Sequence, residues 1–128
     1  MVGKVNFPVS ELLTGVSIVK DEALNRRSIK LNEVCLFFES MRIILRPIAE
    51  TDEVEIIKEP NTSAPDKNET PEWARQFLGQ MLQTVWICKN LQNYQDMVVF
   101  AFEFLHPTLA FVAECSVLRV FSFDHLAQ

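Results

Sequence analysis

Glycine is nearly absent. Gly3, Gly15 and Gly79 are the only three in 128 residues, too few and too scattered for the loop that cradles a dinucleotide or a nucleoside triphosphate. No nucleotide cofactor is expected, and no residue set points to any other. The three cysteines, Cys35, Cys88 and Cys115, are odd in number and lie far apart in apolar runs. That pattern suits buried, reduced thiols in a cytoplasm better than a disulfide framework. The two histidines, His106 and His125, stand nineteen positions apart, with none of the tight C-x-x-C or H-x-x-x-H spacings that make ligands converge, so no metal site is expected. Basic charge is scarce as well. Twelve Lys and Arg against seventeen Asp and Glu leave a net charge of −5, which repels a phosphate backbone and argues against a nucleic-acid partner. The longest wholly apolar run, Met97 to Phe102, falls far short of the roughly 20 residues needed to cross a bilayer as a helix. Pro8 and Ser10-Glu11 interrupt the beginning of the chain before a signal-type apolar stretch forms, so secretion by that route is not expected.

Apolar side chains make up 48% of the residues and aromatics 10%, enough for one core in a single domain spanning 1–128. Residues 59–69 hold two prolines and one apolar side chain, Ala64, and read as an exposed linker. Thr70 then offers an N-cap oxygen, Pro71 fits the first helical position, and Trp73, Phe77 and Met81 follow the i, i+4 rule. A helix is predicted over 70–79, ending at Gly79, with Trp73 and Phe77 facing the core. A shorter helical turn is predicted between Pro8 and Gly15. The remainder is rich in β-branched and aromatic residues between turn-prone ones, which predicts strands at 16–20, 34–39, 42–49, 54–58, 82–89, 98–105, 109–114 and 117–123. Their short connections demand antiparallel meanders. The expected fold class is α+β, with about eight antiparallel strands in a rolled sheet or sandwich and one main helix.

The two halves can be laid over each other. Residues 12–21 match 81–90 without a gap, with Leu13/Leu82, Val16/Val85, Ile18/Ile87 and Lys20/Lys89 identical. Residues 34–57 match 98–121, with Val34/Val98, Phe38/Phe102, Glu39/Glu103, Leu45/Leu109, Ala49/Ala113 and Glu50/Glu114 identical. Fixed-period similarity is what a duplicated supersecondary unit leaves behind; two amphipathic meanders of narrow composition are the alternative. The units would be helix-plus-four-strand repeats over 6–58 and 70–123.

The stretch from Cys88 to Phe102 and the later Val112 to Val120 resemble a family of small uncharacterised bacterial proteins, several of them cyanobacterial. The resemblance lies mainly in residues 81–123, contains no catalytic signature, and implies a cytoplasmic protein without assigning any residue a role.

Several residues invite a chemical reading. His106 and Cys115 bracket one predicted strand of about 20 Å at 3.4 Å per residue, too long for a nucleophilic pair. Glu50 and Glu114 hold equivalent repeat positions, as acid–base carboxylates would, but both sit where turn chemistry explains them. Glu39 and Glu103 read as solubilising ends of apolar strands. Arg26, Arg27 and Lys30 form the one basic concentration, balanced by Asp21, Glu22 and Glu33. No catalytic residue is therefore assigned, and an enzyme is the less favoured reading. The expected function is a non-catalytic protein-interaction module. The alternatives are a small-molecule binder with an apolar pocket lined by Trp86, Phe100, Phe102 and Phe111, and then a cofactorless enzyme. Residues 98–105 and 117–123 are apolar on both sides, and a strand of that kind is normally covered on both sides. A homodimer is expected, with Phe121 or Phe123 near its centre and Arg119 beside them.

Overall fold

The computed structural model describes residues 6–20 and 30–123. Among these residues eight antiparallel strands are present: β1 (Gly15–Lys20), β2 (Lys30–Phe37), β3 (Met41–Ile48), β4 (Glu53–Pro60), β5 (Leu82–Lys89), β6 (Gln95–Phe102), β7 (Leu109–Glu114) and β8 (Val117–Ser122). Each overlaps one of the eight segments marked by β-branched and aromatic residues. The strands form one sheet in the order β4-β3-β2-β8-β7-β6-β5, with β1 also paired to β2. Two meanders, β1 to β4 and β5 to β8, are thus joined where Lys30 and Leu31 of β2 meet Arg119 and Leu118 of β8. The sheet curls until β4 packs against β6 and β7, giving a half-barrel.

Alternation puts one side chain in two on the inner face. Val16, Val34, Leu36, Ile43, Leu45, Val54, Val98, Phe100, Phe102, Leu109, Phe111 and Leu118 form a single buried cluster there, with Phe77 packed among them. Phe100 stacks on Phe102 at 6.1 Å and meets Phe111 edge-on at 5.9 Å. Burying side chains of this size contributes about 1.5–3 kcal/mol each.

The helix over 70–79 is corrected. Among the described residues the only α-helix is α1 (Glu72–Arg75), one turn long, preceded by a 3-10 turn at Lys67–Glu69. The chain is mostly β, not α+β. Two competing interactions cut the helix short. Thr70 does not cap it: its hydroxyl turns inward, accepting from the Val16 amide at 3.3 Å and donating to the Asp66 carbonyl at 3.4 Å. After Arg75 the chain is drawn into strand pairing with the N-terminal segment: the Gly79 and Leu82 amides donate to the Leu13 and Glu11 carbonyls at 2.8 and 2.9 Å. Gly79, at φ +81°, makes that turn. The same pairing explains why no helical turn forms before Gly15, since the Ser10 and Leu13 amides donate to Leu82 and Gln80. Phe77 is buried as expected, whereas Trp73 is half-buried, its ring edge-on to Phe111 at 6.0 Å.

The linker is exposed as expected at 60–63 and 66–69, but its start and its middle differ. Glu59 and Pro60 complete β4, and the residues that follow lie back over the sheet. Asn61 donates to the Glu39 carbonyl at 3.0 Å, Arg42 bonds Thr62 at 3.2 Å, and Ala64 packs on Cys35, Phe37 and Ile44.

Candidate functional site

Cross-strand pairing places side chains of one face in rows. The outer face of the first meander carries three: Gly15–Phe37–Arg42–Glu59, Ser17–Cys35–Ile44–Ile57, and Val19 opposite Glu33 with Arg46 opposite Glu55. The second meander has their counterparts. These are Thr84–Ala101 with Thr108 bonded to Phe123, then Trp86–Val99–Ala110–Phe121, then Cys88–Met97–Val112–Arg119. The register of β1 on β2 is that of β5 on β6, residue for residue, under the alignment read from the sequence. The match slips by two at β7, where Val98 pairs with Phe111 instead of Leu109. Leu45 therefore corresponds to Phe111 in space, and the Leu45/Leu109, Ala49/Ala113 and Glu50/Glu114 identities are not positional equivalents. An even slip leaves every side chain on its own face.

The two outer faces differ in chemistry. In the first meander Arg42, Glu59, Glu33, Arg46 and Glu55 occupy the flanking rows, with ion pairs of Arg42 to Glu59 and of Arg46 to Glu33 at 2.7 Å. Ala64 closes the central row over Cys35 and Ile44, and Pro65 presses on the row beside it, where a Cβ on Gly15 would stand 2.9 Å from Pro65 Cδ. Arg119 is the single charged residue at the corresponding places of the second meander, and it is engaged by Glu114 at 2.7 Å, with its Nε buried and unpartnered. Val99 and Ala110 are small and lie low between their neighbours, while Trp86 and Phe121 stand 37% and 46% exposed at the two ends of the row. Phe123, also exposed, borders a recess of about 110 Å³ together with Phe104, His106 and Thr108.

Phe121, Phe123 and Arg119 thus lie together on one face. The four pocket residues do not. Phe100, Phe102 and Phe111 are packed against one another in the core, and Trp86 points from the opposite side of the sheet. Glu114 is paired with Arg119, and His106 and Cys115 fall at opposite ends of β7, His106 stacking on Phe104 at 5.4 Å. Arg26 and Arg27 lie outside the described residues. Among the described residues no group of three or more His, Cys, Asp and Glu is placed to hold a metal ion.

Two features escaped the sequence reading: the role of Glu53, and the exposure of Cys115, which lies in a turn although the sequence pattern predicts all three thiols buried and only Cys35 is. Glu53 fastens β4 to β6: its carboxylate accepts the Gln95 amide at 2.9 Å and the Thr51 hydroxyl at 2.8 Å, while the Gln95 side chain donates to the Val54 carbonyl at 3.0 Å. The Gln95 amide, then Thr51, hold this carboxyl below its usual range. A depressed folded pKa stabilises the protein above the ordinary carboxylate range and loses that contribution as pH falls through the folded value. Glu53→Gln is expected to weaken the acid dependence of the denaturation midpoint; an unchanged acid limb would show that this carboxyl does not supply it. Burial pushes the Cys35 thiol up to about 11, against a partial opposing pull from Arg42. Its raised pKa favours the fold at lower pH, and that contribution is lost as pH rises from 9 toward 11. At neutral pH a thiol reagent is expected to modify exposed Cys115 and spare Cys35.

The fold and its rows define a curled, all-antiparallel half-barrel of two meanders, one with charged flanking rows and a central row closed by Ala64, the other with a largely apolar outer face on which Trp86, Phe121 and Phe123 stand exposed around buried Val99 and Ala110. The family model described as a family of unknown function, DUF6334, matches residues 4–127, and the chain belongs to that family. This agrees with the resemblance of residues 81–123 to an uncharacterised family, and the match covers almost the whole length. No curated protein and no solved structure matches the chain. No helix among the described residues is long and apolar enough to cross a membrane.

Proposed function

We propose that this chain is a non-catalytic protein-interaction module that self-associates through the outer face of β5 to β8, and that it works in a bacterial cytoplasm. The observation that carries the reading is the contrast between equivalent positions. Where the first meander places Glu33, Arg46, Glu55 and Glu59, the second places Met97, Val112, Arg119 and Phe123. Charged rows suit water. Apolar rows of the same geometry suit a contact, and a two-fold axis lets one patch serve as its own partner. Phe121 lies in the contact at the β8 end of its central row, Phe123 follows it on the same face, and the Arg119–Glu114 pair lies at the rim, where a compensated charge costs little. The matching registers of β1–β2 and β5–β6 support an origin by duplication, after which one copy kept a charged exterior and the other did not.

Sedimentation equilibrium at micromolar concentration tests the contact. Phe121→Asp places a carboxylate within the paired faces, at the β8 end of the central row, and is expected to halve the mass of the assembly. A folded Phe121→Asp protein with the mass of the wild type overturns the reading.

A further inference from the structure

Besides β1, which borders β2 alone, the sheet ends in two edges, β4 and β5, that are treated differently. β4 is guarded by Glu53, Glu55, Lys58, Glu59 and Pro60, and its Val54 carbonyl is taken by the Gln95 side chain. Charges and proline are the usual means of keeping an edge from pairing. β5 has no proline and a single charge, Lys89 at its far end: its sequence is Leu-Gln-Thr-Val-Trp-Ile-Cys-Lys. The chain itself shows that this edge accepts a strand. Ser10 and Glu11 bond Leu82 at its beginning, and among the described residues no strand pairs with the edge beyond Leu82.

The direction of the open groups follows from the ladder. Phe100 gives its carbonyl to the Thr108 amide on the far side of β6, at 3.0 Å. Its partner Val85 therefore turns its own N–H and C=O away from β6, and Ile87, two residues on, does the same. These are the groups an added strand would bond.

We propose that the β5 edge pairs with β5 of a second copy, antiparallel about a two-fold axis at Trp86, so that the sheet runs on from one subunit into the next. In that register Val85 and the second copy's Ile87 exchange both backbone bonds, and the symmetric pair repeats them. The facing side chains agree on both sides of the sheet. Val85 meets Ile87 on the inner face, Trp86 meets its own copy on the outer face, and Lys89 comes opposite Gln83, so no like charges face each other. Ile87 is partly exposed beside an open recess of about 270 Å³ whose wall includes Ile48, Val54 and Ile56, and the incoming Val85 would cover its rim.

This contact does not depend on the outer-face contact. Its axis runs along the sheet normal, whereas face-to-face stacking has its axis in the sheet plane, and two such perpendicular contacts close as a tetramer. The test is sedimentation equilibrium of the wild type, Ile87→Pro, Phe121→Asp and the double variant, with far-UV circular dichroism to confirm folding. Proline at 87 removes an amide that points away from β6, leaving that ladder intact. Ile87→Pro is expected to halve the wild-type mass, and the double variant to run at 14.7 kDa. Should proline prevent folding, Ile87→Lys sets a charge against Val85 of the second copy and is expected to halve the mass in its place. A folded Ile87→Pro or Ile87→Lys protein with the wild-type mass overturns the edge contact. An effect of Ile87→Pro without one of Phe121→Asp retains the edge and removes the face.

Discussion

Phe111→Ala is expected to lower the unfolding free energy by about 3–5 kcal/mol, the usual cost of removing a large buried aromatic. The site gives little scope for collapse. Phe111 is fully buried, pairs with Val98 on one side and Val120 on the other, and has Phe100 at 5.9 Å and Trp73 at 6.0 Å against its ring. Strand pairing fixes the positions of those neighbours, so the cavity stays open, and two edge-on aromatic contacts of about 0.5–1.5 kcal/mol each are lost as well. Urea denaturation reads the change as a lower midpoint at constant slope. A loss below 1 kcal/mol would mean that the half-barrel core is not centred on this ring.

Gly15→Val carries the second large effect. The added Cβ would lie 2.9 Å from Pro65 Cδ and 3.2 Å from Ala64 Cβ, inside normal contact. Either β1 yields or the 61–65 segment lifts, and overpacking of this kind costs about 1–3 kcal/mol. Lifting uncovers the row containing Cys35, so its thiol is expected to gain reactivity along with the loss of stability. A Gly15→Val protein of unchanged midpoint and protected Cys35 would show that Ala64 and Pro65 do not press on β1.

The strands were legible because their signal is local: β-branched and aromatic residues between turn residues locate β5 and β7 to the residue and the other six to within a few positions. The 70–79 helix was not, because its i, i+4 pattern gives no hint that Gly79 to Leu82 would find hydrogen-bond partners at Ser10 to Leu13, some seventy residues away. Long-range pairing overrode a local preference. The repeat alignment was right in face and wrong in register at β7, since inward and outward positions repeat every two residues and a slip of two is invisible to hydrophobic pattern. Strands apolar on both sides singled out Phe121 and Phe123 as candidates for a contact, but that pattern could not separate Trp86 from Phe100 and Phe102, which face the other way. Which face of β5 and β6 is the core depends on the curl of the whole sheet.

The central claim is that the apolar outer face of β5 to β8 is a contact surface. The mass of the unmodified protein in sedimentation equilibrium at micromolar concentration tests it most directly. The account predicts a symmetric assembly at a multiple of 14.7 kDa, whose mass halves in Phe121→Asp; a wild-type chain sedimenting at 14.7 kDa would contradict it.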